Sequence, residues 1–89
     1  MNLKAFKKII NKTDLKIDFS ESSILKPNTT KIIIIDGVYC AFEIDECLNK
    51  KLIVETTSMN RFYSDILKYH GIKIDRKFNI INNTNNSKR

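Results

Sequence analysis

The dipeptide Asp36-Gly37 is the feature of this sequence that most restricts its fold. It stands between two runs of β-prone residues, 31–35 and 38–44. A two-residue type I′ turn needs positive φ at both central positions, and Asp-Gly is among the pairs that accept this geometry. The sequence therefore predicts an antiparallel hairpin that joins the two runs.

Alternation along this hairpin divides its side chains between two faces, because successive strand residues point in opposite directions. We predict that the more apolar face is the core. The other is too apolar for a solvated surface, so it is either covered by helices or loops or is an exposed patch that binds a protein. We take Ile32, Ile34 and Tyr39 of this second face as candidate protein-binding residues. The predicted core face consists of Ile33, Ile35, Val38, Cys40, Phe42 and Ile44.

Two amphipathic helices are predicted outside the hairpin. In the first dozen residues, the apolar side chains recur on one side at helical spacing and the lysines fall on the other. The second helix starts after Ser58, a good N-cap residue. It ends at Gly71, and Ile72 is placed for the hydrophobic contact of a Schellman motif.

The other segments complete an α+β fold. Residues 15–20 alternate as a half-buried strand does, with Asp18 facing water, and residues 52–57 are rich in β-branched side chains. Residues 72–81 alternate weakly and are predicted to form an extra C-terminal strand. We predict a helix, a three-stranded antiparallel meander and a second helix in one domain over 1–81, followed by a disordered basic tail over 82–89.

The charge of the chain is consistent with an acidic partner. The 89 residues carry 16 Lys and Arg against 10 Asp and Glu, a net charge of +6 at pH 7. This suits nucleic acid, but abundant Ile, Asn and Lys are also expected from AT-rich coding, and most of the cations are Lys rather than Arg. The three tyrosines do not cluster into a platform for stacking bases. The candidate nucleic-acid-binding residues are Lys4, Lys7, Lys8, Lys12, Arg76 and Lys77.

Several other classes of protein are disfavoured. The N-terminus has no long apolar run, and Ile32–Ile35 is far too short to cross a membrane, so we expect a cytoplasmic protein without membrane partners. Two cysteines are too few for a disulfide scaffold. No glycine-rich phosphate loop is present, and Cys40, Cys47 and His70 do not make the close ligand pairs of a zinc site. We therefore expect no cofactor and no metal.

No catalytic constellation is evident, so we predict that the chain is not an enzyme. His70 has the acid–base chemistry of a catalytic residue, but its position in the last turn of a helix favours a capping role. The carboxylates of Glu43, Asp45 and Glu46 cluster after the hairpin as acids of some nucleases do. A small nuclease is the minor alternative.

In element order, the predicted fold resembles double-stranded-RNA-binding domains and small toxin ribonucleases. It is also similar to small phage-encoded inhibitors of host nucleases, including anti-CRISPR proteins. The resemblance lies in architecture and not in motifs. The second helix lacks the lysine cluster of the RNA-binding domains, and the predicted strands lack the histidine of the ribonucleases.

We expect a small interaction protein that binds, and inhibits or regulates, a larger protein or ribonucleoprotein. An inhibitor of a host nuclease from a phage or mobile element is one concrete form. The alternative is a nucleic-acid-binding protein that uses the basic N-terminal helix and the C-terminal segment. An exposed edge strand would also allow two copies to pair as a homodimer.

Overall fold

The computed structural model describes residues 1–81 and has an α+β architecture. The predicted tail over 82–89 lies outside the described residues. Neither described helix is long and apolar enough to cross a membrane. In chain order the elements are α1 (Leu3–Ile10), β1 (Ile17–Asp18), β2 (Thr29–Ile35), β3 (Val38–Ile44), β4 (Lys50–Thr56), α2 (Met59–Tyr69), β5 (Lys73–Ile74) and β6 (Ile80–Ile81).

The Asp36-Gly37 hairpin is confirmed. Asp36 has φ of 53° and Gly37 has φ of 78°, so both central residues take the left-handed conformation of a type I′ turn. Ile35 lies opposite Val38, and this register continues along all seven residues of both strands. The turn therefore sets the register of β2 and β3.

The sheet is larger than the predicted meander. β2, β3 and β4 form an antiparallel meander, but β1 adds a fourth strand that runs parallel to β2. The segment between β1 and β2 brings the chain back along the sheet, so the two strands run in the same direction. The C-terminal segment also differs from the prediction. It forms a separate two-stranded sheet of β5 and β6 instead of one strand.

The helix ends follow local sequence signals. The Asn2 side chain accepts a hydrogen bond from the Ala5 amide (2.9 Å), and the Ser58 hydroxyl accepts one from the Arg61 amide (3.3 Å). At the end of α2, the amide of Ile72 donates to the carbonyl of Leu67 (2.9 Å). Gly71 has φ of 76°, so the predicted Schellman motif is confirmed.

The prediction of the core face is wrong except at Ile44, which is 1% exposed. Both helices pack on the face that carries Ile32 and Ala41, and Tyr39 packs against the same core with its ring 5.3 Å from that of Phe62. Ala41 is fully closed to solvent, because its small side chain lets the helices approach the sheet. The residues that form this core are Phe6, Ile9, Ile10, Ile32, Ala41, Val54, Phe62, Tyr63, Ile66 and Leu67.

A buried ion pair lies at one corner of the opposite face of the sheet. Lys31 is two residues before Ile33 on β2, so both side chains leave the sheet on the face opposite the helices. Its ammonium group donates to Asp18 Oδ2 (3.3 Å) and to the carbonyls of Ser20 (2.9 Å) and Ser22 (2.7 Å). Asp18, which was predicted to face water, is 5% exposed. The chain after β1 thus lies across one corner of this face.

A β-bulge bends the edge strand β4. Ala41 pairs with Val54 and the next residue, Phe42, pairs with Leu52, so Ile53 is the extra residue. Ile53 packs against the helix-covered core. Leu52 lies on the opposite side of the sheet, opposite Phe42.

Candidate functional site

One face of the sheet carries apolar side chains that neither helix covers. We call it the open sheet face. Its strand residues are half-buried or exposed, and Ile35 is 62% exposed. Cys40 lies near its centre, and burial raises the pKa of the Cys40 thiol, with a smaller contribution from the carboxylate of Glu55. The open sheet face consists of Ile33, Ile35, Val38, Cys40, Phe42 and Leu52.

The three predicted protein-binding residues do not form a surface patch. Ile32 is buried beneath the helices, and Tyr39 is half-buried against Phe62. Ile34 is 51% exposed at the end of the hairpin, beyond the helices. The apolar surface that is accessible to a partner is therefore the open sheet face, on the opposite side from the predicted one.

A basic groove lies between α1 and the loop that joins β5 to β6. Its volume is about 360 Å³. None of the described residues that line it is acidic, so an anion in the groove would meet no opposing carboxylate. The lining residues are Asn2, Lys4, Ala5, Lys8, Ile9, Lys12, Lys77, Phe78 and Asn79.

The groove brings together two basic segments that are distant in sequence. Lys4 and Lys8 lie one helical turn apart on α1, a rise of about 6 Å along the axis, and Lys12 follows the end of the helix. Lys77 approaches from the β5–β6 loop. Four of the six candidate nucleic-acid-binding residues thus line one concave surface.

The other two predicted residues lie elsewhere. The ammonium group of Lys7 is 4.9 Å from the centroid of the Phe19 ring, so this lysine forms a cation–π contact on another side of α1. Arg76 is exposed in the β5–β6 loop and does not line the groove. The six residues are therefore not a continuous stripe along one surface.

Phe78 adds an aromatic side chain to the basic groove. It is 43% exposed and has φ of 63°, a conformation that costs about 1–2 kcal/mol for a residue with a side chain. The loop is held by Asp75, whose Oδ1 accepts hydrogen bonds from the amides of Lys77 and Asn79, both at 2.9 Å. The carboxylate of Asp75, within the loop, thus already accepts two hydrogen bonds from backbone amides.

The loop between β3 and β4 has the same construction. Asp45 Oδ1 accepts hydrogen bonds from the amides of Cys47 and Asn49, both at 2.8 Å, and Leu48 has φ of 67°. The two loops share the pattern Asp-x-x-hydrophobic-Asn, at 45–49 and 75–79. Sequence reasoning missed Phe78 as a site residue, and this repeated pattern is the signal that would have revealed it.

His70 lies at the end of α2, as predicted, next to a second and more acidic pocket. His70 Nε2 and the Thr30 hydroxyl share a hydrogen bond of 3.2 Å. Burial lowers the pKa of the His70 imidazole, and the nearby carboxylate of Glu43 partly opposes this shift. The Tyr69 hydroxyl donates a hydrogen bond to Glu43 Oε1 (3.0 Å). These contacts join α2 to the end of the sheet.

Two carboxylates lie near His70. Glu43 and Asp45 line the same pocket as His70. Within residues 1–81, however, no three His, Cys, Asp or Glu side chains are placed to hold a metal ion. Cys40 and Cys47 are both free thiols.

Comparisons with protein-family models, with curated proteins and with solved structures give no match for this chain.

Proposed function

We propose that this chain binds nucleic acid, with the phosphate backbone in the basic groove. The observation that carries the proposal is the convergence of Lys4, Lys8, Lys12 and Lys77 on one concave surface without an acidic lining residue. Lysines that meet from two separate segments can contact successive phosphates, which a single solvated helix face does not require.

The aromatic ring of Phe78 favours a single-stranded target. A half-exposed ring among lysines offers a stacking surface to an unpaired base, and such stacking tolerates any base sequence. The paired bases of a duplex are already stacked on each other. We therefore expect this chain to bind a single strand more tightly than a duplex of the same length.

The fold separates the residues on which the hypothesis of a protein-binding inhibitor was based. Ile32 is buried and Tyr39 is half-buried on the packed side of the sheet, and of the three only Ile34 is largely exposed. A function in nucleic-acid binding uses residues that the fold leaves accessible. It also agrees in sign with the net charge of +6.

Fluorescence anisotropy with a labelled single-stranded oligonucleotide tests the proposal. The double variant Lys8→Gln/Lys77→Gln should lose about tenfold in affinity, and its plot of log affinity against log salt should be shallower by about 1.4, two phosphate contacts at 0.7 each. The matched control is Lys16→Gln/Lys26→Gln. It removes the same charge from exposed lysines outside the basic groove.

The two double variants separate a site from a general charge effect. Equal losses in both would show that only net charge matters, and the basic groove would not be the site. Absence of binding by the unmodified chain at about 50 mM salt would rule out the proposal, because phosphate contacts are strongest at low salt.

A further inference from the structure

The open sheet face is apolar although neither helix covers it. Helices and sheet form two layers, and the helices cover one side of the sheet only. Seven apolar side chains of β2, β3 and β4 lie on the other side, and all of them except the buried Ile44 are half-buried or exposed. A contiguous apolar surface of this kind on a small domain is typical of an interface.

Residues 82–89 are unsuited to cover the open sheet face. Residues 82–89 read Asn-Asn-Thr-Asn-Asn-Ser-Lys-Arg, and none of them has an apolar side chain. Burial of this segment on the open sheet face would place amides and cations against isoleucine and leucine without hydrogen-bond partners. A second molecule with an apolar surface of its own is a better occupant than this segment.

Two charged residues indicate which molecule this is. Lys50 and Glu55 lie near opposite ends of β4, on the side of the open sheet face and on either side of Leu52. The Lys50 ammonium is 5.1 Å from the centroid of the Phe42 ring, so the cation lies beside the apolar surface. The face is thus positive at one end of this strand and negative at the other.

We propose that two copies of the chain pack open sheet face against open sheet face. A twofold axis that lies between the sheets and crosses the strands reverses the second β4 relative to the first. Lys50 of each copy then lies opposite Glu55 of the other copy, so the twofold symmetry forms this ion pair twice. The apolar side chains between the two charges are buried together, as in an aligned sheet sandwich.

Pairing through the edge of β4 is a poorer arrangement for a homodimer. The bulge at Ile53 interrupts the regular row of backbone groups that a second strand would need. Lys50 and Lys51 are also exposed on this strand, and lysines on an edge discourage strand addition. The two copies therefore meet through the face of the sheet and not through its edge.

The size of the open sheet face predicts a weak dimer. Three strands of seven residues cover about 300 Å² of flat surface per copy, from the usual strand spacing and rise. Over two copies this is about 600 Å², below the total of about 1,200 Å² at which specific stable interfaces begin and in the range of weak, transient contacts. We expect dissociation in the micromolar range or above, with each basic groove left on the outer, helical side of its own copy.

Sedimentation velocity over a wide range of protein concentration measures the association. The unmodified chain should shift from monomer to dimer as its concentration rises. Ile35→Lys should abolish this shift. The matched control is Ile34→Lys, because Ile34 is the adjacent residue, has similar exposure and points to the other face. Thermal unfolding of both variants confirms that each is folded.

A charge exchange tests the orientation of the two copies. Lys50→Glu and Glu55→Lys should each weaken the dimer by about tenfold, because each replaces two attractions by two repulsions. The double variant Lys50→Glu/Glu55→Lys should restore the affinity.

Four results would overturn the proposal. The first is a chain that stays monomeric at every concentration up to about the millimolar range. The second is an equal effect of Ile34→Lys and Ile35→Lys on association, and the third is a double charge exchange that does not restore association. A chain that stays monomeric but captures a different protein through this face would also overturn it.

Discussion

The ammonium group of Lys31 lies 3.3 Å from the carboxylate of Asp18, and the two residues are 3% and 5% exposed. The pair connects β1 to β2 on the side of the sheet that the helices do not cover. Two backbone carbonyls, from Ser20 and Ser22, complete the coordination of the ammonium group. Burial alone would raise the pKa of the Asp18 carboxyl, but hydrogen bonds from Ser20 and the charge of Lys31 together lower it.

Loss of one partner of this buried pair should destabilise the fold strongly. Lys31→Met leaves the Asp18 carboxylate buried without its cation, and we expect the free energy of unfolding to fall by about 3 kcal/mol. Urea unfolding measures the change. The control Lys26→Met removes an exposed lysine and should change the free energy by less than about 0.5 kcal/mol. If Lys31→Met lowers the free energy of unfolding as little as the control does, the ion pair does not hold β1 in place.

Stability should also decrease at acidic pH. The pKa values of Asp18, Asp45 and Asp75 all lie below the ordinary value of 3.8, the latter two chiefly because of hydrogen bonds from the amides of Asn49 and Asn79. A carboxyl whose pKa is lower in the folded chain than in the unfolded one stabilises the fold above its unfolded pKa. This contribution is lost as the pH falls through the folded pKa.

Urea unfolding at a series of pH values tests this prediction. The free energy of unfolding should begin to fall near pH 4 and continue to fall below it. Asp18→Asn should make the curve shallower, because one of the three shifted groups is then absent. A curve of unchanged slope in that variant would contradict the role of Asp18.

A larger side chain should destabilise the fold at Ala41 but not at Cys40. They are neighbours on β3, but Ala41 is fully closed beneath the helices and Cys40 lies on the open sheet face. Ala41→Leu should cost about 2 kcal/mol of unfolding free energy through overpacking. Cys40→Leu should change it by less than about 0.5 kcal/mol. Thermal or urea unfolding of dilute protein measures both values, and the reverse order would place the core on the other face.

Phe78 should matter more for binding than for stability. In Phe78→Gly, relief of about 1–2 kcal/mol of left-handed strain offsets the removal of a half-exposed ring and its packing, so the net change should stay within about 1 kcal/mol. The loss of a stacking surface should reduce affinity for a single-stranded oligonucleotide about tenfold. Unfolding and anisotropy measurements on the same variant compare the two effects.

Leu48→Gly is the matched control for this comparison. Leu48 has the same conformation in the equivalent loop and is 46% exposed, but it does not line the basic groove. Its substitution should affect stability as Phe78→Gly does and leave binding unchanged. A loss of affinity in both variants would mean that exposed apolar side chains contribute to binding whether or not they line the basic groove.

The sequence by itself determined the local structure of this protein. Asp36-Gly37 specified the hairpin and its register, because few residue pairs accept positive φ twice. Asn2 and Ser58 capped the helices, and Gly71 ended the second one, through contacts within a few residues of chain. In each case the sequence signal and the physical interaction are equally short in range.

Only the tertiary structure decided which side of the sheet is covered. The alternation of side chains along a strand, with the register of the hairpin, shows that Ile32 and Ala41 share one face and that Ile33 and Cys40 share the other. It does not show on which face the helices pack. That is settled by contacts between elements distant in sequence: both helices pack in one core with Ala41, and Lys31 pairs with Asp18 on the opposite side of the sheet. The same is true of the basic groove, because Lys4 and Lys77 approach each other only after α1 and the β5–β6 loop have packed on the common core.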